Sequence, residues 1–432
     1  MKHRPANRSR PAVLPSRPVL FHVLCAAILT VSSLAPPKAS AQGLSYPQAL
    51  QLATEQASTL TARTAAVQGA VALESGATAL PAPKLLLGID NLPINGPDRL
   101  SLTRDFMTMR QIGWMQDVPN RALRGARSDT ALARTERERA LLQAERVTVR
   151  REVALAWLAR YFAERRLALF AELERENQLL QDTAAARVAG GSTQPADALM
   201  IRQEALALAD RRDELQRDLA RQRAALRRWV GDAADQPLSG TPPAFAVNAA
   251  SLQAQLERHA DLVIYAPMTA MAQAEAREAD AAKGGDWSWG VTYSKRGSAY
   301  SDMVSVQFTF DLPIGADRRQ DPQIAAKRKE AEQIEAQRED MRKRRAEELA
   351  TLLAEDGELA AKRARLDQKG LSLAQERLTL VMASYQAGRA ELGAVLAARK
   401  DLVEQRLRGI DLEALQNAVR LRLNSFISEV AP

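Results

Sequence analysis

The sequence predicts a mainly α-helical chain with a small antiparallel β part, laid out as a helix-strand-strand-helix-helix unit that occurs twice. Three observations predict it. Residues 126–189 contain no Gly or Pro and are rich in Ala, Leu, Arg and Glu, all strong helix formers. Short segments alternate apolar and polar residues in the period of a half-buried strand. Finally, the two halves can be laid over each other. Residues 111–119 (QIGWMQDVP) match 305–313 (SVQFTFDLP) at an offset of 194, Gly191 with Leu199 matches Gly388 with Leu396 at an offset of 197, and Ser58-Thr59-Leu60 matches Ala260-Asp261-Leu262 at an offset of 202.

In chain order, residues 1–41 read as a secretory signal peptide. Lys2, Arg4, Arg8, Arg10 and Arg17 precede an apolar run over 19–34, and Ala39-Ser40-Ala41 supplies the cleavage site. The run is shorter than the roughly 20 apolar residues a spanning helix needs, and it carries His22. Cys25, the only cysteine, lies in this leader behind Leu24 rather than a small residue, so lipid attachment is not expected. A mature chain starting near Gln42 has no thiol for disulfides, zinc or nucleophilic catalysis, and retains one histidine, His259.

The leader holds six of the 60 Lys+Arg and none of the 52 Asp+Glu, so the apparent charge of +8 falls to +2 in the mature chain. The remaining charges are interspersed, as in RTERER at 134–139. That pattern belongs to solvated helix faces, not to a nucleic-acid-binding stripe. Carboxylates among Arg residues at helical spacing are surface ion pairs before they are catalysts, and His259 at a helix start reads as ordinary surface. Neither an enzyme nor a cofactor site is expected.

The first repeat, 42–230, opens with a helix over 45–80. Strands follow at about 84–91 and 102–118, around a turn at 93–97 (PINGP). A long helix over about 121–189, on the order of 100 Å at 1.5 Å per residue, stops at Gly190-Gly191 and returns as a helix over 195–230. A Pro/Gly-rich linker spans 231–248. In the second repeat, 249–432, a helix over 251–283 precedes strands at about 286–295 and 302–312, a long helix at about 323–387 and a return helix at 389–428. Gly357 and Gly370, inside the second long helix, read as bends or close packing points.

The second strand pair alternates sharply. Val304, Val306, Phe308, Phe310 and Leu312 fall on one face, and Met303, Ser305, Gln307, Thr309 and Asp311 on the other. Trp287, Trp289, Val291 and Tyr293 alternate likewise with small and polar residues. A soluble sheet could alternate too, but no amphipathic helix of ordinary length flanks these strands to cover them. Strands of about 9 to 11 residues, apolar outward, suit an outer-membrane barrel. An open sheet edge cannot stand in lipid, and four strands cannot close alone. Two copies would give eight strands and little lumen, whereas three give a 12-stranded trimeric β-barrel. Trp287, Trp289, Val306, Phe308 and Phe310 would then face lipid.

Over residues 44–428 the chain resembles the TolC-type outer-membrane efflux protein family. The resemblance rests on Leu44-Ser45-Tyr46-Pro47-Gln48-Ala49-Leu50, on Tyr385-Gln386-Ala387-Gly388 followed by Leu396, and on the duplicated plan. It implies a homotrimer in outer-membrane lipid whose barrel continues as a long α-helical periplasmic barrel. Such a duct is passive and works with a periplasmic adaptor (membrane fusion) protein and an inner-membrane pump. Asn91-Leu92-Pro93 and Thr103-Arg104-Asp105, within 88–119, resemble members serving heavy-metal pumps of the RND type. Export of drugs and type I protein secretion are the alternatives within this class. A soluble periplasmic coiled-coil scaffold is a more distant one, against which Trp287, Phe308 and Phe310 argue.

The resemblance makes Gly190, Gly191 and Gly388 the periplasmic tip that meets the adaptor, although a helix stop alone also explains Gly. Asp197 and Glu391 follow these turns. Threefold repetition would make either an acidic entrance ring, or each could serve a helix N-terminus. Met107, Met109 and Met115 share one parity with Met303, the counterpart of Met109. Thioethers facing the lumen would suit soft cations such as Cu(I) or Ag(I), or Met could simply fill space.

Overall fold

The structure is a computed structural model that describes residues 43–190, 194–312 and 314–427. The leader with Cys25, Gly191 at the first tip, and residues beyond 427 lie outside the described residues. In chain order the elements are β1 (Leu44–Ser45), α1 (Tyr46–Gln56), α2 (Ser58–Gly76), β2 (Lys84–Asp90), β3 (Met109–Val118), α3 (Arg121–Ala189), α4 (Pro195–Val230), β4 (Leu238–Ser239), α5 (Ala249–Ala254), α6 (Ala260–Val263), α7 (Tyr265–Ala281), β5 (Trp287–Lys295), β6 (Met303–Phe310), α8 (Ala316–Arg365), α9 (Leu371–Gln386) and α10 (Leu392–Asn424).

Several boundaries differ from the sequence expectation, each for a local reason. The opening helix is two helices. Ser45 and Gln48 form a reciprocal capping box at its start, but Ala57 takes extended dihedrals and separates α1 from α2. The second strand starts at Met109, not at 102. Asp105 Oδ2 accepts the amides of Met107 (2.9 Å) and Thr108 (3.0 Å), which takes these groups away from any strand ladder. The helix expected over 251–283 breaks at His259, whose Nδ1 accepts the Asp261 amide at 3.0 Å and caps α6. His259 is not a surface residue: it is buried, edge-on to Phe426 with ring centroids 4.6 Å apart.

The second long helix starts earlier than expected, at Ala316, and is interrupted by a π turn at Leu366–Gly370. A Cβ on Gly370 would lie 2.8 Å from Leu366 Cδ1, so this glycine makes room for the side chain that the wider turn swings back. Gly357 is not a packing point: α8 continues through it without interruption, and nothing lies within 4 Å of where its Cβ would be.

At about 1.5 Å per residue, the 69 residues of α3 span on the order of 100 Å. Next to the sheet α3 packs on α2 and α7, in its middle on α1 and α10, and along its second half on α4. The central core gathers Val149, Val153, Trp157 and Phe162 of α3 with Ala49 and Ala53 of α1 and Leu226 and Val230 of α4. Polar ties fix it. Trp157 Nε1 donates to the Leu44 carbonyl at 3.2 Å. Buried Arg160 donates to the carbonyls of Ala234 and Gln236 and to Glu164. Arg166 bridges Asp218 of α4 (3.1 Å) and Asp411 of α10 (2.9 Å). The parallel pairing of β1 with β4 brings Leu44 and Ser45 beside the segment that links α4 to α5.

Candidate functional site: an apolar sheet face and a helical tip

The four long strands form one antiparallel sheet in the order β2-β3-β5-β6. Asn120 sets it on the helices. Its amide donates to Asp286 Oδ1 (3.0 Å), its Nδ2 donates to the Ala281 carbonyl (3.1 Å), and its Oδ1 accepts the Leu123 amide at the start of α3 (2.8 Å). Gly285, at φ +65°, lies so close to Asp311 that a Cβ would sit 2.4 Å from the Asp311 carbonyl oxygen. At the other end the two hairpin loops pack together, with Arg296 Nε donating to the Phe106 carbonyl at 3.0 Å.

The register sorts the side chains into two faces, because directly opposed residues point the same way. One face carries Leu85, Leu87 and Ile89 of β2, Ile112, Trp114 and Val118 of β3, Trp287, Trp289, Val291 and Tyr293 of β5, and Val304, Val306, Phe308 and Phe310 of β6. The other carries mostly small and polar groups, among them Gly88, Gln111, Gly113, Thr292, Ser305, Gln307 and Thr309. On this second face Lys84 pairs with Asp117 at 2.7 Å and Gln111 donates to Asp90 at 2.6 Å.

The first face lies open. Leu87 is 68% exposed, Phe310 65% and Phe308 59%. Aromatic residues collect toward the helix-facing end, where Trp287 stacks on Phe310 across the strands at 6.4 Å. The run from Arg110 to Val118 is about 27 Å at the usual strand rise. Its outer edges, β2 and β6, have no partner strand among the described residues.

The tip lies at the opposite end of the helices. Ile201 of α4 and Leu392 and Val395 of α10 pack there with Leu180 of α3 and Val381, Met382 and Tyr385 of α9, so the helix ends that flank the two turns come together. Gly388 ends α9 at φ +69°. Its amide donates to the Tyr385 carbonyl, and the Arg389 amide donates to the Ser384 carbonyl, a Schellman closure that a side chain at Gly388 would strain. Gly190 is the turn residue after α3. Asp197 occupies the first turn of α4, and Glu391 is the exposed residue that precedes α10, with no side-chain capping bond.

The methionines do not converge. Met107 precedes the strand, in the turn held by Asp105, and is exposed. Met109 stands opposite Asp90, Met115 opposite Lys84 and Gly290, and Met303 opposite Ser294, all on the polar face but in three different rows. Along β3, Met109 and Met115 are about 20 Å apart. Among the described residues no three His, Cys, Asp or Glu side chains group as metal ligands, and no helix is long and apolar enough to cross a membrane.

The sequence reading missed the apolar face of the first hairpin. The signal was present in Leu85, Leu87 and Ile89, but the adjacent Leu86 blurs the alternation.

No protein family profile and no curated protein matches the chain. Solved structures do. A membrane protein from Pseudomonas aeruginosa superposes with a TM-score of 0.76 at 18% identity, covering 88% of this chain and 90% of that one. CusC, in structures described in terms of folding and transmembrane channel formation, gives 0.72 at 19% identity over 88% and 91%. The outer membrane protein VceC from Vibrio cholerae gives 0.70 at 18% identity over 88% and 95%. The chain has the fold of these membrane proteins.

Proposed function

We propose that the chain is one subunit of an outer-membrane exit duct, exported by its leader and not lipidated. Three copies close their sheets, β6 of each beside β2 of the next, into a 12-stranded barrel, and the duplicated helical hairpins continue as a tunnel through the periplasm. One observation carries this reading: an antiparallel sheet with an exposed apolar face, a polar reverse face and two open edges, mounted on helices on the order of 100 Å long. Water would not tolerate that face, and lipid would not tolerate those edges unless the sheet closes.

The duct is passive. An inner-membrane pump supplies energy and selection, and a periplasmic adaptor meets the tip at Gly190, Gly191 and Gly388. Asp197 and Glu391, each repeated three times, would set acidic rings near the entrance that favour cations. The cargo we favour is heavy-metal cations. Met109, Met115 and Met303 on the polar face, with Met107 at its rim, support brief soft contacts rather than a resident site, since they stand in separate rows.

Fractionation tests the duct directly. The expected result is an outer-membrane protein that runs as a trimer unheated and as a monomer after boiling, and a soluble monomer would refute it. The cargo has its own test: a strain with Met107, Met109 and Met115 all changed to Leu should become sensitive to copper and silver. Undiminished resistance would leave drugs or secreted proteins as the better reading.

A further inference from the structure

We propose that Arg110 and Lys295 form a binding site for a phosphorylated lipid headgroup at the loop end of the sheet. The inference rests on the lipid-facing reading above. Arg110 of β3 stands directly opposite Lys295 of β5, on the same face as Ile112, Trp114 and Tyr293. Like charges opposed across an antiparallel pair repel, yet neither cation forms an ion pair among the described residues. Arg110 Nε is buried without a hydrogen-bond partner, and one Nη group reaches only the Arg296 carbonyl, at 3.4 Å.

The carboxylates at this end are already engaged. Asp90 accepts from Gln111, and Asp98 pairs with Arg104 at 3.4 Å. Asp105 caps the amides of Met107 and Thr108. Asp302 is near enough to feel both cations, but its oxygens accept from the Tyr293 hydroxyl and the Arg296 amide. Among the described residues no carboxylate pairs directly with either cation, and Asp302 acts on both only through space.

Their depth selects the ligand. One row inward on the same face come Leu87, Ile112, Tyr293 and Val304, so Arg110 and Lys295 mark where the apolar band ends. The hairpin loops lie at the end of the sheet away from the helices, so this edge faces the outer leaflet. A guanidinium fork beside an ammonium suits phosphate oxygens. The apolar row beneath suits acyl chains, which a free phosphate ion lacks.

The test uses the full mature protein, purified from membranes as an oligomer in detergent and titrated under native mass spectrometry. The probes are a bis-phosphorylated diglucosamine glycolipid, the same lipid dephosphorylated, and inorganic phosphate. Each cation near an anionic headgroup contributes about a factor of five, so Arg110→Gln with Lys295→Gln should weaken the phosphorylated lipid by roughly 25-fold. The exposed Lys295→Gln alone, which leaves the packing untouched, should weaken it by about fivefold. Dephosphorylated lipid should bind the wild type as weakly as it binds the double variant.

Equal retention of the phosphorylated lipid by wild type and both variants would overturn the site. So would inorganic phosphate binding as tightly as the lipid. A chain recovered as a soluble monomer would overturn the duct and this site together, whereas a membrane trimer indifferent to the two cations would overturn the site alone.

Discussion

Leu87 and Val304 on the sheet are each 68% exposed, whereas Val149 and Trp157 in the middle of α3 are fully buried. Both regions are built from the same kinds of apolar residue, but the helical body turns them toward each other and the sheet turns them outward. The difference lies in the partner each region expects. Helices around Trp157 satisfy their apolar stripe within the chain, through Tyr46, Phe162 and Leu226. Among the described residues no such layer covers Phe308, and the apolar face stays exposed. One polypeptide is thus written for two solvents, and the boundary falls near Asn120 and Gly285.

If the helical body is a water-stabilised core, Trp157→Ala should cost the most. Loss of a fully buried Trp is worth about 3 to 5 kcal/mol, and here it also leaves the Leu44 carbonyl without its donor. A thermal melt of the detergent-solubilised protein should drop clearly, and an unchanged midpoint would break the contrast from the helical side.

Val306→Arg, in the middle row of the sheet with Val291 and Trp114, breaks it from the sheet side. An arginine at the bilayer midplane costs about 2 to 4 kcal/mol in each subunit, so trimer yield on unheated gels should collapse. Gln307→Arg, one residue away but on the polar face, should assemble. Equal yields for the two variants would mean that the faces are misassigned.

How much of this was legible in the sequence depends on what each residue needs from far away. The strands β5 and β6 could be read from Trp287, Trp289, Phe308 and Phe310 because alternation is local. The uninterrupted α3 could be read because nothing in it stops a helix. The turn at Asp105 could not, since residues 102–108 alternate plausibly until the carboxylate takes the two amides. The burial of His259 depends on Phe426, distant in sequence. At the candidate site, parity placed Met109, Met115 and Met303 on one face, but only the register puts them in separate rows.

Smaller effects sharpen the comparison by staying local. Gly388→Ala at φ +69° should cost about 1 to 2 kcal/mol. It should speed hydrogen exchange at the tip and leave exchange in the sheet unchanged.

The smallest effect is a pH dependence. Burial is the main cause holding the His259 imidazole below its ordinary 6.5, with the charges of Asp261, Arg345, Glu348 and Arg151 partly offsetting one another. The unfolded chain therefore takes up this proton first. Above pH 6.5 the residue contributes no pH slope, and as pH falls below that value stability is lost until the folded-state value is reached. His259→Asn keeps an N-capping oxygen and removes the titration, so melts of the variant should lose part of their decline in mild acid.

The most direct test uses the five tryptophans. Trp114, Trp287 and Trp289 lie on the apolar sheet face, while Trp157 and Trp229 belong to the helical body. In vesicles carrying spin-labelled acyl chains, the Trp157→Phe, Trp229→Phe protein should be strongly quenched by lipid. A protein that keeps only Trp157 and Trp229 should not be quenched. If lipid leaves the sheet tryptophans untouched while aqueous acrylamide quenches them, the sheet does not stand in a membrane and the duct is wrong.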